Sequence, residues 1–482
     1  MQTAFLECQL HQLFEQYFGI KAQYIKPLSS GGSTRKYYRL WNNSQSAIGT
    51  INLQKEENQA FFSIQKALAR SGIRVPEIYS ISDDHTCYLQ QDVGDNSLFG
   101  FIGKHQGEPD FETIVEPFYR KALSDLVEMQ VVAHQNMDYS VCWPDSRYGH
   151  DAMLADLNYF YYYFVRQHPQ LHFNEPQLLR EFDVFAGQMS HIPDDFLMYR
   201  DFQSRNIQLH DGELYYIDFQ GIRKGPLPYD PVSLLFQVKA ALPAPLRQRL
   251  LEFYVEQLAQ KNPKAAENFL INLPWFIYLR LFQVLGAYGF RGLVQHKAHF
   301  LQSIPYALNE LENLANAHPL PKTYQQLKML IAQMDRLRSI YPLSETPLAE
   351  GLHVRVTSFS YLNRGIPTDT SGNGGGFVFD CRILPNPGRK PEFACLTGLD
   401  REVICFLENE EAVTHFLNNV KSIVQQAVND YTSRKFNHLM VNFGCTGGRH
   451  RSVYCASQLS AWLQKTFPDV RVTTFHNEQQ NE

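Results

Sequence analysis

The feature that most constrains this chain is a series of three polar residues near its middle. Asp201 is followed five residues later by Asn206, and Asp218 ends the next strand-like segment. Phosphoryl transfer needs a carboxylate base beside the acceptor hydroxyl and oxygen ligands for the Mg²⁺ that bridges the phosphates. Asp and Asn are also common in turns, so the spacing alone is weak evidence. Together with the Ile-Asp-Phe that follows, it predicts Asp201 as catalytic base and Asn206 and Asp218 as metal ligands.

The length and the periodicity of the chain predict several domains. With 482 residues, the chain is too long for one ordinary core. Strands and two helices over residues 1–93 predict a small α+β lobe, and long helical patterns over 94–340 predict a second, mostly helical lobe. Residues 341–351 contain two prolines and a glycine and are typical of a linker. Residues 352–482 alternate strands with helices and predict an α/β domain.

A loop rich in serine and glycine lies between two predicted strands of the first lobe. It lacks the Gly-Lys-Ser/Thr ending of a Walker A loop. Its small residues would let backbone N–H groups approach phosphate oxygens, and a plain β-turn is the alternative. The nucleotide-binding residues predicted here are Ser30, Gly31, Gly32, Ser33 and Thr34.

Four stretches of residues 1 to about 335 resemble a known family. They are SGGSTRKYYR at Ser30, LQQDVGD at Leu89, YRDFQSRN at Tyr199 and IDFQGIRKGPLPYDPVSLL at Ile217. They resemble the aminoglycoside phosphotransferase family, and within it the anomeric amino-sugar kinases of cell-wall recycling. The resemblance implies an α+β protein-kinase-like two-lobe fold and the cofactors ATP and Mg²⁺. It also implies phosphorylation of N-acetylmuramate or N-acetylglucosamine at C1.

The same resemblance implies further residue roles. ATP would bind between the two lobes near Gln91 and Val93, and Asp230 would be a structural anchor of the catalytic loop. Two positions depart from the family. Tyr199 stands where a histidine is common, and the strand over residues 47–52 has no lysine to pair the α- and β-phosphates. The candidate replacements are Arg35, Lys36 and Lys55, with Glu57 as the helix glutamate that would orient such a cation.

Two rival interpretations of this first part stay open. One is a kinase for another small hydroxyl compound, such as an aminoglycoside or choline; strong acidic clustering around the acceptor would favour it. The other is a pseudokinase adaptor that binds RNA or protein through its C-terminal domain. The missing lysine favours the adaptor, whereas intact Asp201, Asn206 and Asp218 oppose it.

A second chemical pattern lies near the C-terminus. An apolar strand over residues 441–444 leads into the loop Cys-Thr-Gly-Gly-Arg-His-Arg-Ser, and a helix follows. A glycine-containing loop at a helix N-terminus is suited to anions, and Arg451 could hold their oxygens with a bidentate fork. The spacing Cys-x5-Arg-Ser also equals that of cysteine-dependent phosphatases, with Cys445 as nucleophile. The remaining alternative is a helix-capping loop with a buried cysteine.

Three stretches of the C-terminal block resemble another family. FVFDCRILPNP at Phe377, LTGLD at Leu396 and GCTGGRHRSV at Gly444 resemble the C-terminal domain of the RapZ family of RNase adapters, which sense glucosamine-6-phosphate. The insert over residues 371–376 departs from that pattern. The resemblance implies an α/β domain with an amino-sugar-phosphate pocket. Its residues would be Thr446, Gly447, Gly448, His450, Arg451, Ser452, Asp380, Arg382 and Asn386.

Composition bears on partners and location. The formal net charge is −5, and there is no basic stripe with interleaved aromatic residues, so RNA binding is not carried over. The N-terminus shows no signal peptide, and the eight cysteines have no paired spacing. The apolar stretch over residues 273–290 is interrupted by Pro274, Arg280 and Gln283, which predicts a buried helix and no membrane span. We therefore expect a cytoplasmic protein.

Overall fold

The chain folds into two compact units. A computed structural model describes residues 2–28, 35–295, 298–341, 352–363, 365–367, 376–433, 436, 438–468 and 470–478. One unit comprises Met1–Ala287 and Tyr306–Leu337, and the other comprises Tyr288–Pro305 and Arg338–Glu482. Most of the linker predicted over 341–351, the Ser30–Thr34 loop and nearly all of the insert over 371–376 lie outside the described residues.

The first unit begins with an antiparallel sheet covered by a helix. Its elements are α1 (Gln2–Phe18), β1 (Tyr24–Leu28), β2 (Lys36–Trp41), β3 (Ser46–Ile51), α2 (Lys55–Arg70), β4 (Ile78–Ile81) and β5 (Cys87–Gln91). The strand order is β1-β2-β3-β5-β4. Alternate residues such as Leu40 and Leu89 face α1, where they form a core with Leu10 and Phe14. A Cβ at Gly49 would lie 2.7 Å from Leu40 Cδ1, so this glycine allows the close packing.

The rest of the first unit is mainly helical, with two short pairs of antiparallel strands. The helices that follow in the chain are α3 (Leu98–His105), α4 (Phe111–Val127), α5 (His150–Tyr163), α6 (Glu175–Ser190), α7 (Tyr229–Leu235), α8 (Ala244–Lys261), α9 (Pro263–Glu267), α10 (Phe269–Tyr288), α11 (Ala298–Leu301), α12 (Ile304–Ala317) and α13 (Gln325–Gln333). The last residue of α10, all of α11 and the start of α12 belong to the second unit. Strands β6 (Phe196–Met198) and β9 (Arg223–Gly225) pair, as do β7 (Ile207–His210) and β8 (Glu213–Tyr216). These four strands interrupt the mostly helical pattern predicted over residues 94–340.

One described helical stretch, Phe269–Val294, is long and apolar enough to cross a membrane by length and composition. Of its most apolar window, 61% is buried within the protein. Burial of this extent fits the core helix predicted from the interrupting Pro274, Arg280 and Gln283.

The second unit contains a four-stranded parallel sheet of order β11-β12-β10-β13. Its main elements are β10 (His353–Ser360), β11 (Gly376–Asp380), α14 (Arg401–Glu408), α15 (Glu411–Ser433), β12 (His438–Cys445), α16 (Arg451–Thr466) and β13 (Arg471–His476). The predicted α/β class is confirmed. Strand β11 ends at Asp380, because the Asp380 carboxylate accepts the Arg382 N–H and starts a 3-10 turn. Strand β13 was not predicted.

Candidate active site and anion-binding loop

The loop after β6, which carries the predicted base Asp201, is held by a buried aspartate. Asp230 accepts hydrogen bonds from the backbone N–H groups of Tyr199 (2.7 Å) and Arg200 (2.9 Å) and from the side chain of Gln130 (3.3 Å). Arg200 has a φ of 74°, so its backbone conformation needs such support. Burial raises the pKa of Asp230 to about 7, although these hydrogen bonds act in the opposite direction. Asp230 is therefore an anchor of the loop, as the family resemblance implies.

Tyr199, which stands where the family commonly has a histidine, also holds this loop in place. The Tyr199 hydroxyl donates to the Ile217 carbonyl at 2.7 Å, and its ring is buried. Ile217 immediately precedes Asp218, so this hydrogen bond joins the segment of the predicted base to the segment of the predicted metal ligand. Tyr199 therefore holds the loop through both its hydroxyl and its backbone N–H.

The two predicted metal ligands lie close to the predicted base. The Asn206 side-chain NH₂ donates to the Asp201 carbonyl at 2.8 Å. The side-chain oxygen of Asn206 then points to the other side, where it can act as a ligand. Asp218 accepts from Gln220 at 2.7 Å. Burial, and secondly the charge of Asp201, raises the pKa of Asp218. Two neighbouring carboxylates with one desolvated are a site that a divalent cation would stabilise.

No cluster of three or more His, Cys, Asp or Glu side chains that could hold a metal occurs in the described ranges. A Mg²⁺ ion at this loop would thus have Asn206 and Asp218 as its protein ligands and take its other ligands from phosphate and water. Such a sparse protein contribution is typical of Mg²⁺ bound with a nucleotide.

A buried polar network that the sequence did not reveal surrounds Arg200. Its guanidinium lies 3.1 Å from Asp156 and over the ring of Tyr148 at 4.9 Å, and the Tyr148 hydroxyl donates to Asp156 at 2.6 Å. Burial would lower the pKa of Arg200, but Tyr229, Asp156, Tyr148 and Asp201 together raise it well above its ordinary value. Asp156 and Tyr148 are far from the motif in sequence, so spacing gave no signal for them.

A pocket with a volume of about 650 Å³ lies beside the segment that follows β5. Asp92 and Gly94 line it, together with Lys26, Arg39, Trp41 and His210 among others. Arg39 bridges Asp92 (2.8 Å) and Asp95 (2.6 Å). The predicted nucleotide residues Gln91 and Val93 flank this lining: Gln91 pairs with Ala47 in the sheet, and Val93 is buried. Arg39 and Asp92 are additional pocket residues that the motif search missed.

The C-terminal loop starts where parallel strands end together. Ser360 of β10 and Asp380 of β11 are in register with Cys445 and Gly444 of β12. The Cys445 thiol is buried and lies 3.1 Å from the Ser452 hydroxyl on α16. Gly448 has a φ of 69°, and a Cβ there would lie 3.1 Å from Ser360 N, so the tight turn requires glycine.

Arg451 is buried, with 5% of its surface exposed. Its Nη1 donates to the carbonyls of Arg382 (3.2 Å) and Leu384 (3.1 Å). Its Nε has no acceptor among the residues the structure describes. Arg451 therefore joins the loop between β12 and α16 to the segment after β11. Its Nε–H remains as a donor for a ligand.

The other predicted pocket residues are held by local contacts. Arg382 pairs with Asp380 at 2.6 Å, and that charge lowers the pKa of Asp380. The His450 Nε2 lies 3.0 Å from the Phe393 carbonyl, and Asn386 accepts from Gly388 N at 3.2 Å. Thr446 and Gly447 lie in the loop between β12 and α16. Within the described residues, the backbone N–H groups from Thr446 to His450 donate to no backbone carbonyl.

Comparisons with known proteins divide the chain in the same way. Residues 25–266 match the family model described as the phosphotransferase enzyme family, and residues 352–480 match the RapZ C-terminal domain. A nucleotide-binding protein of Thermotoga neapolitana is 39% identical over 130 residues, which cover 27% of this chain and 44% of the relative. The RNase adapter protein RapZ of Yersinia pseudotuberculosis is 32% identical over 165 residues, covering 32% of this chain and 56% of the relative. The chain thus spans about half the length of these curated relatives.

The solved structures found in the comparison include a spectinomycin phosphotransferase and an amicoumacin kinase. The AMP-bound complex of a spectinomycin phosphotransferase has a TM-score of 0.44 and 14% identity, covering 65% of this chain and 99% of that one. An amicoumacin kinase in complex with AMP-PNP, Ca²⁺ and its substrate has a TM-score of 0.42 and 13% identity, covering 70% and 96%. The family match over residues 25–266 confirms the kinase-like fold predicted for the first part.

Proposed function

The chain belongs to the phosphotransferase enzyme family, and from this premise we propose that it transfers the γ-phosphoryl group of Mg-ATP to an amino sugar. The acceptor is N-acetylmuramate or N-acetylglucosamine, the position is the C1 hydroxyl, and the setting is cell-wall recycling in the cytoplasm. The carrying observation is that one anchored loop holds Asn206 against Asp201, with the charge of Asp201 acting on Asp218.

Each of these residues has one task in the proposed reaction. The Asp201 carboxylate accepts the proton of the acceptor hydroxyl as its oxygen attacks the γ-phosphorus and the bond to the β-phosphate oxygen breaks. Bound Mg²⁺ would neutralise the charge that develops on the phosphate oxygens. Asn206 and Asp218 hold that ion, and Asp230 keeps the loop in the conformation that presents Asp201.

The charges near Asp201 support an acceptor that is not a polycation. Arg280 is buried and Arg200 is partly buried, and the charge of Asp201 contributes to raising the pKa of each against the lowering effect of burial. Asp156 is already paired with Arg200 and Tyr148. An aminoglycoside or choline would require uncompensated acidic groups here. A neutral or carboxylate-bearing sugar suits these arginines better.

The experiment that tests this proposal is an assay of the purified full chain with Mg-ATP. The acceptor panel contains N-acetylmuramate, N-acetylglucosamine, an aminoglycoside and choline. Turnover with either N-acetylated sugar supports the proposal. Turnover confined to the aminoglycoside or choline would replace it with the rival kinase, and the absence of nucleotide binding and turnover would favour the adaptor.

We expect phosphorylation at C1, because the anomeric hydroxyl is more acidic than the other sugar hydroxyls and a carboxylate base suffices for it. Phosphorus NMR of the product distinguishes a glycosyl phosphate from a 6-phosphate. The methyl glycoside of the same sugar, which has no free C1 hydroxyl, is the matched control and should be inert. Its phosphorylation would exclude the C1 assignment.

For the C-terminal domain we propose binding of an amino-sugar phosphate without hydrolysis. The supporting observations are the N–H groups of the loop from Thr446 to His450 and the Nε of Arg451. Loop N–H groups at a helix N-terminus favour phosphate. An RNA or protein partner of this domain remains an alternative within the adaptor interpretation.

Substitution of Cys445 separates binding from hydrolysis. We expect Cys445→Ser to leave sugar-phosphate affinity within about 2-fold, because a hydroxyl preserves the polar contact with Ser452. Calorimetry with glucosamine-6-phosphate and a phosphate-release assay measure the two properties on the full chain. Cys405→Ser, at an exposed cysteine of the same domain, is the control. Steady phosphate release that stops in Cys445→Ser would establish a phosphatase instead.

A further inference from the structure

Strand β3 supplies no cation to the kinase cleft. Residues on one side of β3 face α1, as the contacts of Gly49 with Leu10 and Leu40 show. Thr50 therefore points to the opposite face, where the register places it between Tyr37 of β2 and Tyr88 of β5. A kinase usually holds the lysine for its α- and β-phosphates on this strand. A positive charge for the α- and β-phosphates must therefore come from another residue of the lobe.

Arg35, the residue directly before β2, brings a charge to this face. It is buried, with 1% of its surface exposed. Its Nη2 lies 3.4 Å from Glu57 Oε1, and burial lowers the pKa of Arg35 while Tyr88, Tyr37 and Glu57 raise it, with a net increase. The other two candidate cations, Lys36 and Lys55, are exposed. Of the three candidates, only Arg35 is paired with the helix glutamate.

Both carboxylate oxygens of Glu57 have a partner, which fixes the orientation of Glu57 beside Arg35. Its Oε2 accepts a hydrogen bond from Asn52 Nδ2 at 2.8 Å, while its Oε1 faces Arg35. Asn52 follows the end of β3 and is itself bound to Asn58 at 3.0 Å. Glu57 can thus orient a guanidinium as the helix glutamate of a kinase orients its lysine.

Aromatic packing connects Arg35 with the metal-binding segment. The Arg35 guanidinium lies 5.4 Å from the ring centre of Phe61, and Phe61 stacks on Phe219 with ring centres 4.6 Å apart and planes 5° apart. Phe219 directly follows Asp218. Two stacked rings therefore connect the Arg35 guanidinium with the residue next to the predicted Mg²⁺ ligand.

We infer that Arg35 binds the α- and β-phosphates of the nucleotide, in place of the lysine absent from β3. Arg35 lies directly before the neighbouring strand β2, and Glu57 on α2 orients its guanidinium. A guanidinium can bind two phosphate oxygens at once, whereas lysine acts as a point charge. This inference rests on the proposed kinase function. It selects one of the three cations that the sequence left open as replacements for the lysine.

Calorimetry with ADP and with adenosine tests the inference on the full chain. Arg35→Met should weaken ADP binding about 10- to 100-fold, the effect of one lost charge-assisted contact, and leave adenosine binding unchanged. Arg35→Lys, which keeps the charge and loses the fork, should weaken ADP binding less. Lys36→Met is the matched control, because it removes an exposed charge one residue away. Thermal unfolding without nucleotide shows whether each variant folds.

The outcomes separate the inference from the proposed function. Equal ADP affinity of wild type and a folded Arg35 variant overturns the inference and leaves the kinase assignment intact. Parallel loss of ADP and adenosine binding shows that Arg35 only shapes the lobe, which also overturns it. If Arg35→Met does not fold, Arg35→Lys decides, with unchanged ADP affinity counting against the inference. A wild type that binds no ADP overturns both proposals.

Discussion

Replacing Asp201 by asparagine is expected to lower kcat by about 10²–10⁴-fold while the protein stays folded. The amide has the shape of the carboxylate but cannot accept the proton of the acceptor hydroxyl. The loop conformation should persist, because it depends on backbone bonds from Tyr199 and Arg200 to Asp230 and on the Asp201 carbonyl, none of which involves the Asp201 carboxylate.

Steady-state kinetics with saturating Mg-ATP measures this effect, and circular dichroism with thermal unfolding checks the fold. Asp110→Asn is a matched control: Asp110 is exposed and its side chain makes no capping hydrogen bond to α4. The control should retain wild-type kcat. Near wild-type turnover of Asp201→Asn would remove Asp201 from the role of base.

Replacing Asp218 by asparagine is expected to abolish Mg²⁺-dependent nucleotide binding while keeping or raising the stability of the metal-free protein. The substitution removes a desolvated charge that faces Asp201. Asparagine retains an oxygen for Gln220, and it tolerates the φ of 64° at this position. Activity should fall at least about 10²-fold, because a neutral amide is a weak ligand for Mg²⁺.

The pH dependence of this effect has a defined sign. The pKa of Asp218 is raised in the folded protein, so the folded state retains a proton that the unfolded chain releases near its ordinary pKa of 3.8. The stability of the metal-free wild type therefore falls as pH rises from that value through the raised pKa. The advantage of Asp218→Asn should be larger at about pH 8 than at about pH 4, which is close to the ordinary pKa of an aspartate.

Thermal unfolding at both pH values, with and without Mg-ADP, measures this prediction. Mg-ADP should raise the Tm of the wild type and leave that of Asp218→Asn nearly unchanged. The Asp110→Asn variant again serves as control. A metal-free Asp218→Asn protein that is markedly less stable than wild type at about pH 8 would show that Asp218 has a structural task instead of a metal-binding one.

The sequence by itself identified the groups whose chemistry lies in short, continuous segments. Asp201 and Asn206 share one loop, so their spacing alone brings them together, and the short hairpin leading to Asp218 returns to the same place. The C-terminal loop from Cys445 to Ser452 was likewise visible as a strand, a glycine turn and a helix. The roles assigned to these residues at the two sites remain predictions.

Only the tertiary structure decided which residues from distant segments meet these loops. Glu57 pairs with Arg35 and not with Lys36, because the chain buries one of these neighbours and exposes the other. Spacing also gave no sign that Asp156 reaches Arg200, or that Arg451 uses Nη1 on the Arg382 and Leu384 carbonyls. A motif specifies residue types at short range. Burial and hydrogen-bond partners depend on how separate segments pack, and that is a property of the whole fold.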